Sequence, residues 1–499
     1  MSFVQNFPCF SIVLCMVAGI LSTPVKGKTA KRITLAVVAL VTLMSMATLC
    51  YTASTGGSFV YTMGKYPAPW GNEIRAGVLE TLLATAFALV MLCSLVGGMD
   101  HVFKDVDEEK INLYFILADL LLSSLLAIIY TNDLFTGYVF VEINTIAACG
   151  MIMIRRSGRS LIAATRYMVM SLIGSGLFLI GLAMLYDITG HLLMENAHDV
   201  MAELIRTGQY GIPLLVIISF ITVGLAIKSG LYPFHSWMPD AYGYSTISSS
   251  SILSSLVSKS YIILLIKIFY RVIGFDLIIQ SKIVNVLFVF GLIGMVMGSV
   301  GAITAKDIYR MIAYSSVAQI GYIYMGIGLA TEAGMVAAVF HILTHAATKS
   351  LLFLAAKGLN DVSGRKRIFP ALQGAAFRNP LAGAAFLVGS LSMVGIPMLA
   401  GFISKLLFAT AALGAGPNKV LITLVVLAVS TILNAVYFLH TVIRIYTPTG
   451  APEEFKHIHA HMSAGAALAV FCLIIMNFAM GLMSQPLTDL IQFGIEMFA

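Results

Sequence analysis

Charge is scarce in this chain, and its scarcity excludes whole classes of fold. Only 11% of the 499 residues are charged, against 59% hydrophobic. A soluble protein of that length needs a polar exterior that these residues do not supply. No hydrophilic domain interrupts the sequence. The longest polar insert, YDITGHLLMENAHDVMAELIRTGQ, is a modest loop with room for a short amphipathic helix. The six cysteines (Cys9, Cys15, Cys50, Cys93, Cys149 and Cys472) are scattered through apolar segments without C-x-x-C spacing. That pattern gives no disulfide framework, zinc site or iron–sulfur cluster. Paired-histidine haem spacing and a glycine-rich nucleotide loop are also missing, so neither cofactor nor metal is expected. The opening MSFVQNFPCFSIVLCMVAGIL has no basic stretch ahead of its apolar run; the positive charges follow it. It therefore reads as a retained first helix and not as a cleaved signal peptide.

What the chain does have is a series of apolar stretches, each close to the roughly 20 residues needed to cross a hydrocarbon core. Fourteen are expected, near 6–23, 33–54, 76–97, 111–130, 133–154, 162–186, 211–231, 247–271, 277–299, 303–329, 333–356, 381–412, 420–443 and 463–484. The fold class is thus an all-α polytopic membrane protein. The 381–412 run is too long for one straight helix.

Of the 30 basic residues, nineteen fall in loops on the side of the first connection, Lys456 among them, six on the other side and five within spans. By the positive-inside tendency the first loop is cytoplasmic and both termini face outward. The net charge of +7 then records topology, and no nucleic-acid partner is needed to explain it.

Ionisable groups inside the spans are costly, about 2.5–3.5 kcal/mol each on insertion scales, and usually face a bundle interior or water. Glu142 lies near the centre of the fifth span, in TGYVFVEINTIAACGMIM. Lys228, in LAIKSGLYPF, precedes Gly230 and Pro233, which predict a broken helix. A break at membrane depth is tolerated only beside protein or a water-filled cavity. Lys259 is central in the eighth span, behind YSTISSSSILSSLVSKS, where Ser251, Ser254, Ser255 and Ser258 follow helical spacing. Such hydroxyls are often helix-packing glue, but a stripe ending at a lysine reads as a hydrated half-channel. Lys267, near the outer end of the same span, is expected to snorkel to the interface. His341, His345 and Lys349 repeat at i, i+4 steps and form a titratable ladder on one face. Lys405 follows another break, with Gly395 and Pro397 upstream.

The two breaks, in the seventh and twelfth spans, each accompany one lysine. Broken helices in corresponding positions of two halves predict inverted five-helix repeats with the active path at midplane. The expected organisation is helices 1–3 over residues 1–110, a first repeat (helices 4–8) over 111–275, a second (helices 9–13) over 276–445, and a C-terminal loop and helix 14 over 446–499.

At KSGLYPFHSWMPDAYGYS the chain resembles the antiporter-like subunits of respiratory complex I and of Mrp-type cation/proton antiporters. The family pattern of a lysine, P-x-H-x-W-L-P-D-A-H, a serine-rich stretch and a second lysine falls here on Lys228, Pro233, His235, Trp237, Pro239, Asp240, Ala241 and Lys259. Met238 stands for the usual leucine and Tyr242 for the usual histidine. The likeness continues at AKDIYRMIAYSSVAQIGYI, at His341, His345 and Lys349, and at GIPMLAGFISK, and the family's fifth-span glutamate falls on Glu142. The twelfth-span lysine resembles the D-type Mrp subunit and the N- and L-type complex I subunits, while the short polar loops and VFVEINTIAACG look most like the D-type Mrp subunit or its membrane-bound hydrogenase relatives.

The resemblance implies a proton-translocating subunit of a multisubunit complex in a prokaryotic inner membrane. Glu142, Lys228, Lys259, His341, His345, Lys349 and Lys405 would form its relay, supported by Ser251, Ser255, Ser258, Pro233, His235, Asp240 and Pro397. Its implied partners are other membrane subunits, further antiporter-like ones included, with lipid, protons and Na+. An Mrp-type sodium/proton antiporter is the first expectation. The alternative is a proton-pumping subunit of a redox-driven complex, such as a membrane-bound hydrogenase or an NADH or ferredoxin:quinone oxidoreductase, and a passive scaffold is the third reading.

Overall fold

The computed structural model describes residues 3–66, 71–208, 210–448, 453–455 and 458–498, so Lys456 lies outside the described residues. In chain order, α1 (Phe7–Leu21) and α2 (Gly27–Thr55) lead to a two-stranded antiparallel pair, β1 (Phe59–Thr62) and β2 (Glu73–Ala76). Next come α3 (Val78–Asp105), α4 (Ile111–Tyr130), α5 (Leu134–Met153) and α6 (Gly158–Thr189). The polar insert folds as the short helix α7 (Met194–Thr207), which buries Met194, Ala197 and Met201. The seventh expected span is α8 (Gly211–Ser229), followed after a break by α9 (Met238–Tyr244). The long α10 (Ile247–Ile273), α11 (Ile283–Thr304), α12 (Ile308–Gly328) and α13 (Glu332–Asp361) follow. The twelfth expected span is two short helices, α14 (Pro380–Val394) and α15 (Ala400–Leu413). The chain continues through α16 (Pro417–Ile445) and α17 (Ala464–Leu482) to α18 (Ser484–Glu496).

Among the described residues twelve helices are long and apolar enough to cross a membrane, two fewer than the fourteen expected. The first difference is the broken twelfth span. The second is α12, whose sequence IYRMIAYSSVAQIGYIYMGIG is rich in tyrosine and serine. That helix is almost wholly buried in protein, so it presents little surface to lipid and needs less hydropathy.

Helix starts follow local chemistry. Asp133 accepts from Thr136 N (2.6 Å), Ser157 from Ser160 N (3.1 Å), Asp307 from Tyr309 N (2.7 Å) and Thr331 from Gly334 N (3.1 Å). Each satisfies one of the amide groups that a first turn leaves without a partner. Asp307 is itself crowded by protein, and that burial raises its pKa above the ordinary carboxylate value despite the nearby Arg367 and the two amides it accepts from.

The bundle has an inside and an outside. On peripheral helices such as α6 and α16, Val169, Leu172, Ile173, Val425, Ile432 and Val436 are exposed. In contrast, the most apolar stretches of α10 and α13 are buried throughout. Close approach around this centre depends on glycine. A Cβ on Gly174 of α6 would stand 2.8 Å from Gly224 O of α8, and one on Gly224 would stand 2.7 Å from Gly174 O. Backbone therefore meets backbone, the small-residue packing common between membrane helices. Gly224→Leu is expected to force α6 off α8 and to destabilise the chain by about 1–3 kcal/mol or more, as overpacking does. Thermal denaturation of the purified complex in detergent measures this, and an unchanged transition would contradict the contact.

Candidate functional site

The first group of functional side chains is built where α8 stops. Gly230 takes the left-handed conformation (φ 78°) that glycine tolerates, and Pro233 follows, so the helix cannot continue. Lys228 lies in the last turn, near the partial negative charge of a helix C-terminus. Its buried ammonium donates to Glu142 Oε1 of α5 (3.1 Å) and to Thr145 Oγ1 (2.7 Å). The Nζ also stands 5.5 Å from the centre of the Tyr261 ring of α10, within cation–π range. Ser175 of α6 donates to Glu142, whose side chain remains about a quarter exposed. Thr145 and Ser175 were not legible as partners, because either residue reads alone as ordinary packing.

The second group lies along α10 and α13. α10 is not regular: residues Leu253–Val257 form a π-helical turn directly before Lys259. Such turns disturb the usual hydrogen-bond ladder and recur at functional sites. Lys259 is fully buried and donates to the carbonyl of Ser254 within that turn. The expected single serine stripe is corrected here. Ser251 bonds to Ser94 Oγ of α3 (2.8 Å) and Ser350 Oγ of α13 (2.9 Å), and Ser254 to Ser316 of α12 (3.0 Å). Ser258 meets Tyr242 OH (2.9 Å), while the buried Ser255 hydroxyl finds no protein partner. Because α10 is enclosed all round, its hydroxyls serve several neighbours instead of one face.

On α13 the ladder forms as expected for its histidines. The rings of His341 and His345 stack with centroids 5.9 Å apart and planes 5° apart. His341 Nδ1 meets Ser404 Oγ of α15 at 2.6 Å, whereas neither ring nitrogen of His345 has a protein partner. Lys349 turns to α12, where it donates to Ile312 O (2.9 Å) and to Ser315. Lys405 donates to Val394 O (2.7 Å), the last residue of α14, and to Thr431 Oγ1 of α16 (3.0 Å). His341 thus lies within electrostatic reach of Lys405, Lys259 and Lys349 together. The two groups are distinct: the ion pair contacts Tyr261 on α10, two residues beyond Lys259.

The other supporting residues, Asp240, His235, Pro233 and Pro397, sit elsewhere. Asp240 is a tie at the basic end of the bundle, paired with Arg166 of α6 (2.5 Å) and Arg310 of α12 (3.3 Å). His235 stacks on Tyr232 (5.1 Å), and Pro233 and Pro397 lie exposed in the two breaks. Lys267 does not snorkel. It is fully buried and donates to Ile129 O (2.7 Å) and Thr131 O (2.6 Å), carbonyls that the end of α4 leaves open. Sequence reasoning also missed a buried pair, Glu80 of α3 with Arg271 of α10 (2.7 Å), and Asp119, which accepts from Thr34 (2.8 Å). A glutamate followed closely by LLATAFALVMLC was the available signal for Glu80.

A double-mutant cycle on Glu142→Gln and Lys228→Met, read by thermal denaturation of the assembled complex, is expected to give a coupling of about 0.5–3 kcal/mol. Simple additivity would mean that the two side chains do not meet.

Comparison with known proteins adds to this geometry. A profile of the family described as NADH:quinone oxidoreductase/Mrp antiporter, transmembrane, matches residues 131–433. The chain is 32% identical over 424 residues to the N-type subunit of the NADH-quinone oxidoreductase of Desulforudis audaxviator, covering 84% of this chain and 81% of that protein. It is 29% identical over 352 residues to the D-type subunit of the Na(+)/H(+) antiporter of Alkalihalophilus pseudofirmus, covering 70% and 69%. Among solved structures, a chain of the membrane-bound sulfane sulfur reductase, an archaeal respiratory membrane complex, superposes with a TM-score of 0.86 at 25% identity, covering 100% of this chain and 98% of that one. A chain of the Mrp complex from Dietzia shares the fold with a TM-score of 0.87 at 23% identity, covering 99% and 97%.

Proposed function

Because this chain belongs to the NADH:quinone oxidoreductase/Mrp antiporter transmembrane family, we propose that it is an antiporter-like subunit that moves protons sideways through a multisubunit membrane complex. The observation that carries the reading is that Lys259, His345 and Lys349 are fully buried on α10 and α13, two helices packed against each other and enclosed by the bundle, while Lys405 and Lys228 stand on helices packed against these two. Desolvation opposes the charged form of a buried amine or imidazole and a nearby carboxylate favours it, so moving such a partner changes proton affinity. Attraction between unit charges rises steeply as the dielectric falls. While Glu142 stays close, Lys228 holds its proton. When Glu142 withdraws, the ammonium loses its partner and gives the proton up. Lys259 receives it, the His341, His345 and Lys349 ladder carries it on, and Lys405 is the hand-over point. The titrations are coupled and belong to the line as a whole. Ser255, His345 and Gln319 offer buried polar atoms without protein partners, which are sites where bridging water would bond.

In an Mrp-type assembly the proton flow would drive sodium export. The redox-driven reading is favoured by the 32% identity to a quinone oxidoreductase subunit; there, electron transfer in partner subunits would drive the same groups. The lysine and arginine asymmetry supports a prokaryotic inner-membrane location with both termini outward. The two lysine-bearing breaks support the inverted repeats, residues 111–275 and 276–445, flanked by 1–110 and 446–499.

Proteoliposomes containing the whole complex test the relay. Lys259→Met and Glu142→Gln are expected to leave assembly intact and to lower proton transport by about tenfold or more. Transport at the normal rate in both would return the chain to the role of scaffold. Activity of this chain reconstituted alone would instead make it a self-sufficient transporter.

A further inference from the structure

A further cluster of titratable groups lies outside the proton line. Where α3 and α13 end, at the face of the basic loops, a cavity is lined by Asp100, His101, Lys104, Lys357, Asp361 and Arg365. His101 Nε2 and Asp361 Oδ1 lie 2.8 Å apart across it. Lys357, which the sequence placed in a loop, is the buried inner member and donates to Gly97 O of α3 (3.3 Å).

Inward from this cavity the same two helices carry hydroxyls. Ser94, one turn before Gly97, bonds to Ser350 of α13 (2.9 Å) and to Ser251 of α10 (2.8 Å), and those two bond to each other (2.9 Å). Ser248 donates to Ser94 O (3.0 Å). Three helices thus meet in a closed ring of hydroxyls, each able to donate and accept. Beyond the ring, Ser255 lies one turn deeper on α10 and Lys259 one turn deeper again. Lys349 is the chain neighbour of Ser350.

Between cavity and ring the packing is apolar and thin. Ser350 and Lys357 are seven residues apart on α13, about 10 Å at the usual helical rise. Leu354 fills the interval: a Cβ on Gly97 would stand 2.5 Å from its Cδ1. Leu354, packed on Gly97, thus stands between the titratable cavity and the hydroxyl ring.

We infer that this cavity is a proton entrance, in which His101 and Asp361 collect protons at the basic face, the Ser94–Ser251–Ser350 ring conducts them toward Lys259 and Lys349, and Leu354 on Gly97 is the closure. A purely structural account would make His101 and Asp361 a tie between α3 and α13. It would make the ring of three hydroxyls beneath them helix-packing glue, a role that normal uptake in Ser94→Ala would support and lost uptake at normal assembly would not. The inference rests on the relay reading of Lys259, and the test separates the two.

Proton uptake into proteoliposomes of the assembled complex is measured for Asp361→Asn, Ser94→Ala and Leu354→Ser beside Lys259→Met, with assembly scored on native gels. The expected result is a loss of about tenfold in Asp361→Asn and Ser94→Ala at normal assembly, with uptake in Leu354→Ser equal to or above the parent. If Lys259→Met abolishes uptake while Asp361→Asn and Ser94→Ala run at the parental rate, the entrance is elsewhere and the relay stands. If Asp361→Asn loses uptake only in proportion to lost assembly, His101–Asp361 is a tie and the inference falls. Normal uptake in Lys259→Met removes the relay and the entrance together.

Discussion

Lys259 is enclosed by protein on every side, and the energetics of keeping an ammonium there govern what surrounds it. Charge that far from water needs donors, acceptors or counter-charge within reach. The chain supplies them by distorting α10 into a π turn, which places the Ser254 carbonyl at the amine, and by laying hydroxyl-rich helices alongside. The same requirement explains why α10 and α13 are the enclosed helices. They carry the groups that lipid would not tolerate, and the peripheral helices carry the apolar surface that lipid prefers.

Lys228 and Lys405 show two solutions to one problem. Both stand beside a helix that has been stopped by glycine. Lys228 ends α8 itself, whereas Lys405 starts from α15 and reaches the last carbonyl of α14. The Lys405 ammonium meets the negative end of the α14 dipole, whereas the Lys228 ammonium is turned to Glu142 and Thr145. Only Lys228 adds a carboxylate, Glu142; Lys405 is met by Thr431 and by the Tyr322 ring at 5.8 Å. An ion pair on one side and neutral partners on the other make the surroundings of the two lysines chemically unequal.

Much of this was legible in the amino-acid order because glycine, proline and charge are strong signals in an apolar background. The broken seventh and twelfth spans and the shared face of His341 and His345 follow from spacing and from residues that leave the backbone few options, whereas Glu142 and Lys228 stood out singly as intramembrane charges and packing pairs them. Lys267 misled because snorkelling depends on distance to the interface alone, whereas burial depends on what packs alongside, here the open carbonyls of α4. The serines of α10 bond to several neighbours for a related reason: the helix is enclosed all round, which periodicity along one face does not reveal. α12 was found by its length and yet falls outside the twelve apolar spans, since a helix shielded by neighbours is free of the hydropathy that lipid contact demands. Glu80 and Arg271 are far apart in sequence, and only the packing of α3 on α10 brings them together.

The uncovered quarter of Glu142 bears on the life of the chain before it joins a complex. A carboxylate on the flank of α5, among exposed residues such as Val139 and Ile146, is poorly matched to acyl chains. A newly inserted copy with no neighbour on that flank carries a penalty that a polar companion or trapped water relieves. A subunit set against that flank removes the mismatch, so the exposed edge of this one acid favours the assembled state over the lone copy.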